Sequence, residues 1–279
     1  MAYSNSHKIL RKHIKNWRTF SKLVRKSSTK MLKIMDDLDN LIFVTGCQRS
    51  GTTALTNLLM RSDEVYNYIS DMDSELFGAL ILSGKCSNNI EGKRGCFQTT
   101  YLNERYYEYF DHIGKFKLIF ITRNPFSVCY SMMYNWKDKL KIRNFALNEL
   151  YLYCGSKEYS EGFKHFFDKY NTIRYPALKK AVFSYVSKTK QALTLKKRLG
   201  DYCLVIDYDD MVSCRTTMLP LIFKFLNLRY EDNYYVNLLN SKSRKKADDL
   251  SEYEKNVINI ICSPIYTQVK GLCSNITQL

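Results

Sequence analysis

The chain has 279 residues, 45% of them hydrophobic and 25% charged, which suits one α/β domain with a large core and argues against a disordered or fibrous chain. A net charge of +16 points to anionic partners without choosing among nucleotides, sulfated or acidic glycans, nucleic acid and membrane surfaces. Nine cysteines fall at no paired metal-ligand spacing and are odd in number, so they read as reduced, structural thiols of an intracellular protein. No apolar run approaches a membrane span and no signal peptide is visible, which makes a cytoplasmic location the expectation.

Residues 1–35 carry many Lys and Arg and no Asp or Glu. Leu10, Ile14, Trp17 and Val24 fall near one helical face, widened by Ile9, Phe20 and Leu23. A basic amphipathic helix of this kind docks on its domain, lies on an anionic membrane or acts as a targeting segment. Docking is the simpler reading, and peripheral membrane contact through residues 1–35 is the alternative. Residues 1–38 are therefore separated as an extension from a main domain at 39–279.

The most informative stretch is residues 41–57, LIFVTGCQRSGTTALTN. An apolar run suited to a buried parallel strand leads into Gly46, a polar turn, and Gly51-Thr52-Thr53. Ala54, Leu55, Leu58 and Leu59 then recur at helical spacing. Strand, glycine-bounded loop and helix present backbone N–H groups to an anion, most often a phosphate. Gly46-x-x-x-x-Gly51 is the spacing of a nucleotide-binding P-loop, but Thr52 stands where an ATPase or GTPase has lysine, and a cation appears within the loop at Arg49. Without that lysine the loop is poorly equipped for a triphosphate and better suited to one 5′ phosphate group.

The segment Cys47-Gln48-Arg49-Ser50-Gly51-Thr52-Thr53 resembles the 5′-phosphosulfate-binding loop of sulfotransferases that use 3′-phosphoadenosine 5′-phosphosulfate (PAPS), in which a basic residue precedes Ser-Gly-Thr-Thr. Next along the chain, Val65-Tyr66-Asn67-Tyr68-Ile69 reads as a second strand, running into an acidic segment that holds Asp71, Asp73 and Glu75. In carbohydrate-type and bacterial members of the family a glutamate follows the second strand. Glu75, in Ser-Glu-Leu-Phe, looks most like that base, with Asp71 and Asp73 as competitors and solvated or capping carboxylates as the plain alternative. Members acting on small phenols and steroids use a histidine, but the context of His112 does not match.

Residues 83–100, with Gly84, Asn88, Asn89, Gly92 and Gly95, read as a loop. The family's Lys-Thr-Pro segment is represented only by Gln98-Thr99-Thr100, so the second cation of the site is missing, with Lys93 or Arg94 as substitutes from the loop. Residues 117–122, KLIFIT, form another buried strand. Beyond it Asn124 is placed to cap a helix and Pro125 to open it. Arg123 then stands at a strand end, and Ser131, on the same helical face as Asn124, leans back toward it. An arginine and a serine converging in this way suit a phosphate monoester, and the segment resembles the family's 3′-phosphate site.

Residues 136–199 read as mainly helical with a break near Pro176. Tyr151, Tyr153, Tyr159, Phe163, Phe166, Phe167 and Tyr170 pack a core or line an acceptor pocket. Lys188, Lys190, Lys196, Lys197 and Arg198 read as a solvated face. Residues 202–207 form a further strand, and Tyr208-Asp209-Asp210-Met211 behind it reads as structural. A helix from near Thr217, a basic loop at 241–246 and a last helix with a capping box at Ser251 and Glu254, stopping near Gly271, complete the chain.

The resemblance implies a three-layer α/β/α fold with a mostly parallel central sheet, P-loop nucleotide-kinase-like. It implies PAPS as donor, the nucleotide product PAP (3′-phosphoadenosine 5′-phosphate), and a hydroxyl-bearing acceptor: a glycan, lipid or small alcohol. Neither a metal nor a specific nucleic acid is expected. Glu75 and Arg49 would be catalytic, and Arg49, Ser50, Gly51, Thr52, Thr53, Arg123, Ser131 and Arg244 would hold the donor. The rival expectations are a P-loop kinase or NTPase with a degenerate loop, and a non-catalytic polyanion-binding protein.

Overall fold

The computed structural model describes residues 19–20, 30–68, 73–86, 90, 92–135, 176–238 and 244–273. Most of the basic amphipathic segment, Asp71 and the aromatic run at 151–170 lie outside the described residues. Five strands make one parallel sheet: β1 (Leu41–Gly46), β2 (Val65–Tyr66), β3 (Arg94–Gln98), β4 (Phe116–Thr122) and β5 (Cys203–Asp207), in the order β2-β3-β1-β4-β5. All residues of β1 and β5 are buried, as a parallel sheet covered on both faces requires. The chain leaves β1 toward β2 and leaves β4 toward β5, in opposite directions along the sheet. Right-handed crossovers then place the connecting helices on opposite faces, giving the expected three layers.

One expectation is corrected here. The 83–100 loop contains β3, which pairs with both β1 and β2. Its five residues, RGCFQ, carry a charge and a glycine and lack the apolar run of the other strands. Gly95 is tolerated because a side chain there would meet the Phe97 ring at 2.7 Å.

The helices are α1 (Thr52–Leu59), α2 (Ser74–Leu82), α3 (Pro125–Tyr130), α4 (Pro176–Leu199), α5 (Tyr208–Ser213), α6 (Arg215–Leu226), α7 (Asp232–Val236) and α8 (Glu252–Gly271). The Ser251–Glu254 capping box of α8 forms as expected. Phe43 of β1 anchors the core, with the rings of Phe97, Tyr109 and Phe116 at 5.1 to 6.4 Å. Each such buried ring contributes about 1.5–3 kcal/mol. Met31, Leu32, Ile34 and Met35 belong to this core: Met31 and Leu32 are fully buried and donate their amides to Glu108 Oε2 at 2.7 and 3.0 Å. Phe20 lies edge-on to Tyr101, so the described part of the extension docks on the domain. A second apolar cluster, built on Cys47, Val128, Cys129, Met132 and residues of α4 and α8, supports the loop after β1 and the end of α3. No helix among the described residues is long and apolar enough to cross a membrane.

Candidate active site

In an open parallel sheet a ligand crevice forms beyond the C-terminal strand ends where neighbouring connections diverge. That point falls between β1 and β4, with Gly46 in register with Ile121. Gly46 takes φ 146°, and a side chain there would meet the Ile121 carbonyl at 2.3 Å. Gly51 takes φ 105°, and a side chain there would enter the Tyr208 ring at 2.0 Å. Between them Arg49 is held at φ 73°, a conformation that costs about 1–3 kcal/mol for a residue with a side chain. The loop is thus bent to a shape that neither glycine can give up. No side chain among the described residues caps α1, and while the Ala54 amide bonds to Gly51 O, the Thr52 and Thr53 amides stand at the helix start beside the cleft. Gly51→Ala should lower stability by about 1–3 kcal/mol, as thermal melting would record.

The loop is fixed from behind. Asn103 Nδ2 donates to Gly46 O at 3.2 Å, Gln48 Nε2 to Thr100 O at 3.4 Å, and Cys47 Sγ to Ser184 O at 3.7 Å. Ser50 is buried and turns its hydroxyl back to Cys47 O, so it closes the loop and does not reach the cleft. A cleft of about 270 Å³ lies in front, lined by Gln48, Arg49, Gly51, Thr52, Thr53, Ala54, Glu75, Gln98 and Arg123.

At one end, Arg123 and Ser131 meet Arg49. The Asn124 side chain accepts from Phe126 N and Pro125 opens α3, as the sequence signals. Residues Ser131–Asn135 then widen into a π-helical turn, a geometry common at functional sites. Arg49 Nε donates to Ser131 Oγ at 2.9 Å and Asn135 Nδ2 donates to the same oxygen at 3.0 Å. With its oxygen accepting twice, the Ser131 hydroxyl proton remains to be donated. Arg123 is buried. Its guanidinium lies 4.6 Å over the Tyr208 ring, its Nε is 3.4 Å from Asp209 Oδ1, and Nη1 reaches Arg49 O at 3.4 Å. Burial first, and the Arg123 charge second, lower the pKa of Arg49. Two guanidiniums thus stand close together at this end of the cleft, with the Asp209 carboxylate against Arg123.

At the other end stands Glu75, in the first turn of α2. Gln98 Nε2 donates to its Oε2 at 2.9 Å, while Tyr101 N, at 3.1 Å, and Thr100 Oγ1 donate to Oε1. Burial, with Asp73 beside it, pushes the Glu75 carboxyl up to about 7, against the pull of the Thr100 hydroxyl, Lys188 and the Tyr101 amide. Asp73 is the N-cap of α2, accepting from Glu75 N at 3.1 Å and Leu76 N at 3.2 Å, which leaves Glu75 as the carboxylate lining the cleft.

Several sequence expectations are corrected. Arg94 and Lys93 lie at the start of β3, the wrong end of the sheet, where Arg94 binds the carbonyls of Asn40 and Leu226. Gln98, at the strand's other end, takes the place facing Glu75. Lys188 is fully buried and belongs to no solvated face, although Lys190 and Lys197 are exposed. Tyr208 and Asp209 brace Arg123, and the Tyr208 ring fits against Gly51, so the segment after β5 is part of the site. His112 sits beside Lys115 before β4, away from the cleft. The Arg244–Asp249 turn is tied to α3 by the hydrogen bond of Tyr130 to Asp249 at 3.1 Å. The Arg244 side chain lies outside the described residues.

No family model matches the chain, and no curated protein sequence matches it. Among solved structures it is similar to a sulfotransferase domain from the curacin biosynthetic pathway, at 15% identity and a TM-score of 0.47, over 77% of this chain and 83% of that one. It is similar also to a mouse sulfotransferase complexed with PAP, at 16% identity and 0.48, over 88% and 94% of the two chains. A sulfotransferase from Alicyclobacillus acidocaldarius stands at 11% identity and 0.47, over 84% and 95%. At these scores the site has to be understood from its own geometry.

Proposed function

We propose that this protein is a sulfotransferase that moves a sulfuryl group from PAPS to an acceptor hydroxyl, releasing PAP and a sulfate ester. The observation that carries this is a cleft with an uncapped helix start and a strained glycine loop in its floor, paired guanidiniums and Ser131 at one end, and Glu75 at the other. The floor suits one 5′ phosphate, because Thr52 stands where a triphosphate site needs a lysine. The end formed by Arg123 and Ser131 suits a second, separate phosphate monoester. Arg49 is rooted in the loop and reaches Ser131, so it lies between the two positions. A donor with phosphates at its 3′ and 5′ ends satisfies both demands, whereas ATP satisfies only one.

The donor supplies an activated sulfur with PAP as leaving group, and the protein supplies position and charge. The first-turn amides of α1, with Thr52 and Thr53, hold the 5′ phosphate. Arg49 offsets negative charge gathering there as the sulfur–oxygen bond breaks. Arg123 and Ser131 hold the 3′ phosphate, which fixes the nucleotide along the cleft. Glu75 takes the acceptor's proton as its oxygen bonds to sulfur. The acceptor is a hydroxyl compound, with glycans, lipids and small alcohols all within this chemistry.

Turnover should rise with pH through about 7 and level off above it, since the base works only when ionised. Stability should move the opposite way. A carboxyl whose folded value lies above its ordinary 4.5 binds its proton more tightly in the folded state, so stability falls as pH rises from there toward about 7. The proposal is tested by incubating the protein with PAPS and a panel of sugar, lipid and small alcohols and measuring PAP. Acceptor-dependent PAP release supports it. Silence with PAPS, together with magnesium-dependent ATP turnover, would point to a kinase instead.

A further inference from the structure

Lys188 lies in the middle of α4 with none of its surface exposed, and its ammonium has no hydrogen-bond partner among the described residues. Burying a charge in this way costs several kcal/mol, a cost that an alkyl side chain in the same space would not carry. Its surroundings are defined by its helix neighbours. Ser184, one turn before it, accepts from Cys47 at the start of the phosphate loop, and Gln191, on the same face one turn after, donates to Asn103 O at 2.8 Å. The face carrying Lys188 is therefore clamped between the loop and the 99–103 turn. That same turn grips Glu75 through Thr100 and Tyr101, and Gln48 ties it to the loop. Gln48 Oε1 is a further buried polar atom without a hydrogen-bond partner among the described residues.

We propose that Lys188 is a positioning residue for Glu75: its ammonium, held behind the 99–103 turn, is the buried counter-charge of that carboxylate. This rests on Glu75 being the base of the proposed reaction. The cation absent from the Gln98-Thr99-Thr100 segment is then supplied from α4. The groups facing Glu75 are Asp73 on its own helix, Tyr68 after β2, Gln98 of β3, Thr100 and Tyr101 of the turn, Lys188 of α4, and Arg49 and Arg123 along the cleft. Of the charged groups on this wall, Asp73 opposes ionisation of Glu75 and Lys188 favours it.

The test follows the Glu75 carboxyl directly, by 13C NMR of glutamate-labelled protein, with its resonance assigned by loss in Glu75→Gln. In Lys188→Met, which keeps the volume and removes the charge, Glu75 should titrate about one pH unit or more higher than in wild type. Lys188→Arg should restore the wild-type titration. In the PAPS assay the acid limb of the Lys188→Met rate profile should move up with it. For a shift of one unit, turnover at pH 7 would then fall roughly fivefold, recover by pH 9, and leave the donor KM unchanged. At pH 5, where Glu75 is protonated, the Lys188→Met protein should melt no lower than wild type, because a buried charge that then lacks its counter-charge has been removed. An unchanged Glu75 titration overturns the inference even if the protein turns over PAPS. A shifted titration with no PAPS turnover at any pH leaves the Lys188–Glu75 link standing and overturns the sulfotransferase proposal instead.

Discussion

Glu75→Gln is expected to lower turnover by about 10²–10⁴-fold while PAP binds with its wild-type affinity. The carboxylate lines the cleft from the wall opposite Arg123, so its loss removes the proton acceptor and leaves the phosphate contacts in place. The substitution keeps the shape of the side chain and a carbonyl oxygen to accept from Thr100 and Tyr101. It removes the cost of a charge that burial and Asp73 both disfavour. The variant should therefore be more stable than wild type above pH 7, by about 1–3 kcal/mol, and should lose that advantage near pH 4.5, where both proteins are neutral at this position. A protein that loses activity and gains stability in one substitution has a functional, not structural, carboxylate. Full activity in the variant would move the base elsewhere, with Asp71 the first to test.

Arg123→Ala is expected to weaken PAP binding by about 2–4 kcal/mol, or roughly 30- to 1,000-fold, and to leave binding of adenosine 5′-monophosphate within a few-fold of wild type. The contrast between the two ligands isolates the 3′ phosphate, because both share the 5′ phosphate held by the loop. Arg123 cannot act alone. Tyr208 supports its guanidinium from one side, Asp209 orients Nε, and the Tyr185 hydroxyl fixes its carbonyl at 2.7 Å. Some stability should be lost along with affinity, since the Asp209 carboxylate would lose the Arg123 charge beside it. Equal losses for both nucleotides would show that Arg123 only holds the loop through Arg49 O.

The parts of this site that were legible in the sequence are those made by local chain geometry. Gly46 and Gly51 announce a bent loop because no other residue fits there. Asn124 and Pro125 announce a helix start, which fixes where Arg123 and Ser131 stand, and Ser251 with Glu254 does the same for α8. What stayed hidden depends on tertiary contact. Strand β3 has a charged, glycine-containing sequence that reads as a loop, and only its place beside β1 makes it a strand. Lys188 sits in a stretch rich in lysine, where charge suggests solvent, but its face of α4 is turned toward the loop. Tyr208 and Asp209 look like an ordinary helix start, and their service to Arg123 appears only when β5 is laid against β4. Glu75 is preferred over Asp73 in the sequence by resemblance alone, and the structure adds a physical reason, with one carboxylate lining the cleft and the other capping the helix.

The central claim is that the cleft binds a nucleotide with phosphates at both its 3′ and 5′ ends. Calorimetric titration with PAP in the absence of metal, repeated with ATP and magnesium, tests it most directly. Micromolar-scale PAP binding, about −8 kcal/mol, unaffected by magnesium and much tighter than ATP, is the expected result. Magnesium-dependent binding of ATP with none of PAP would contradict it.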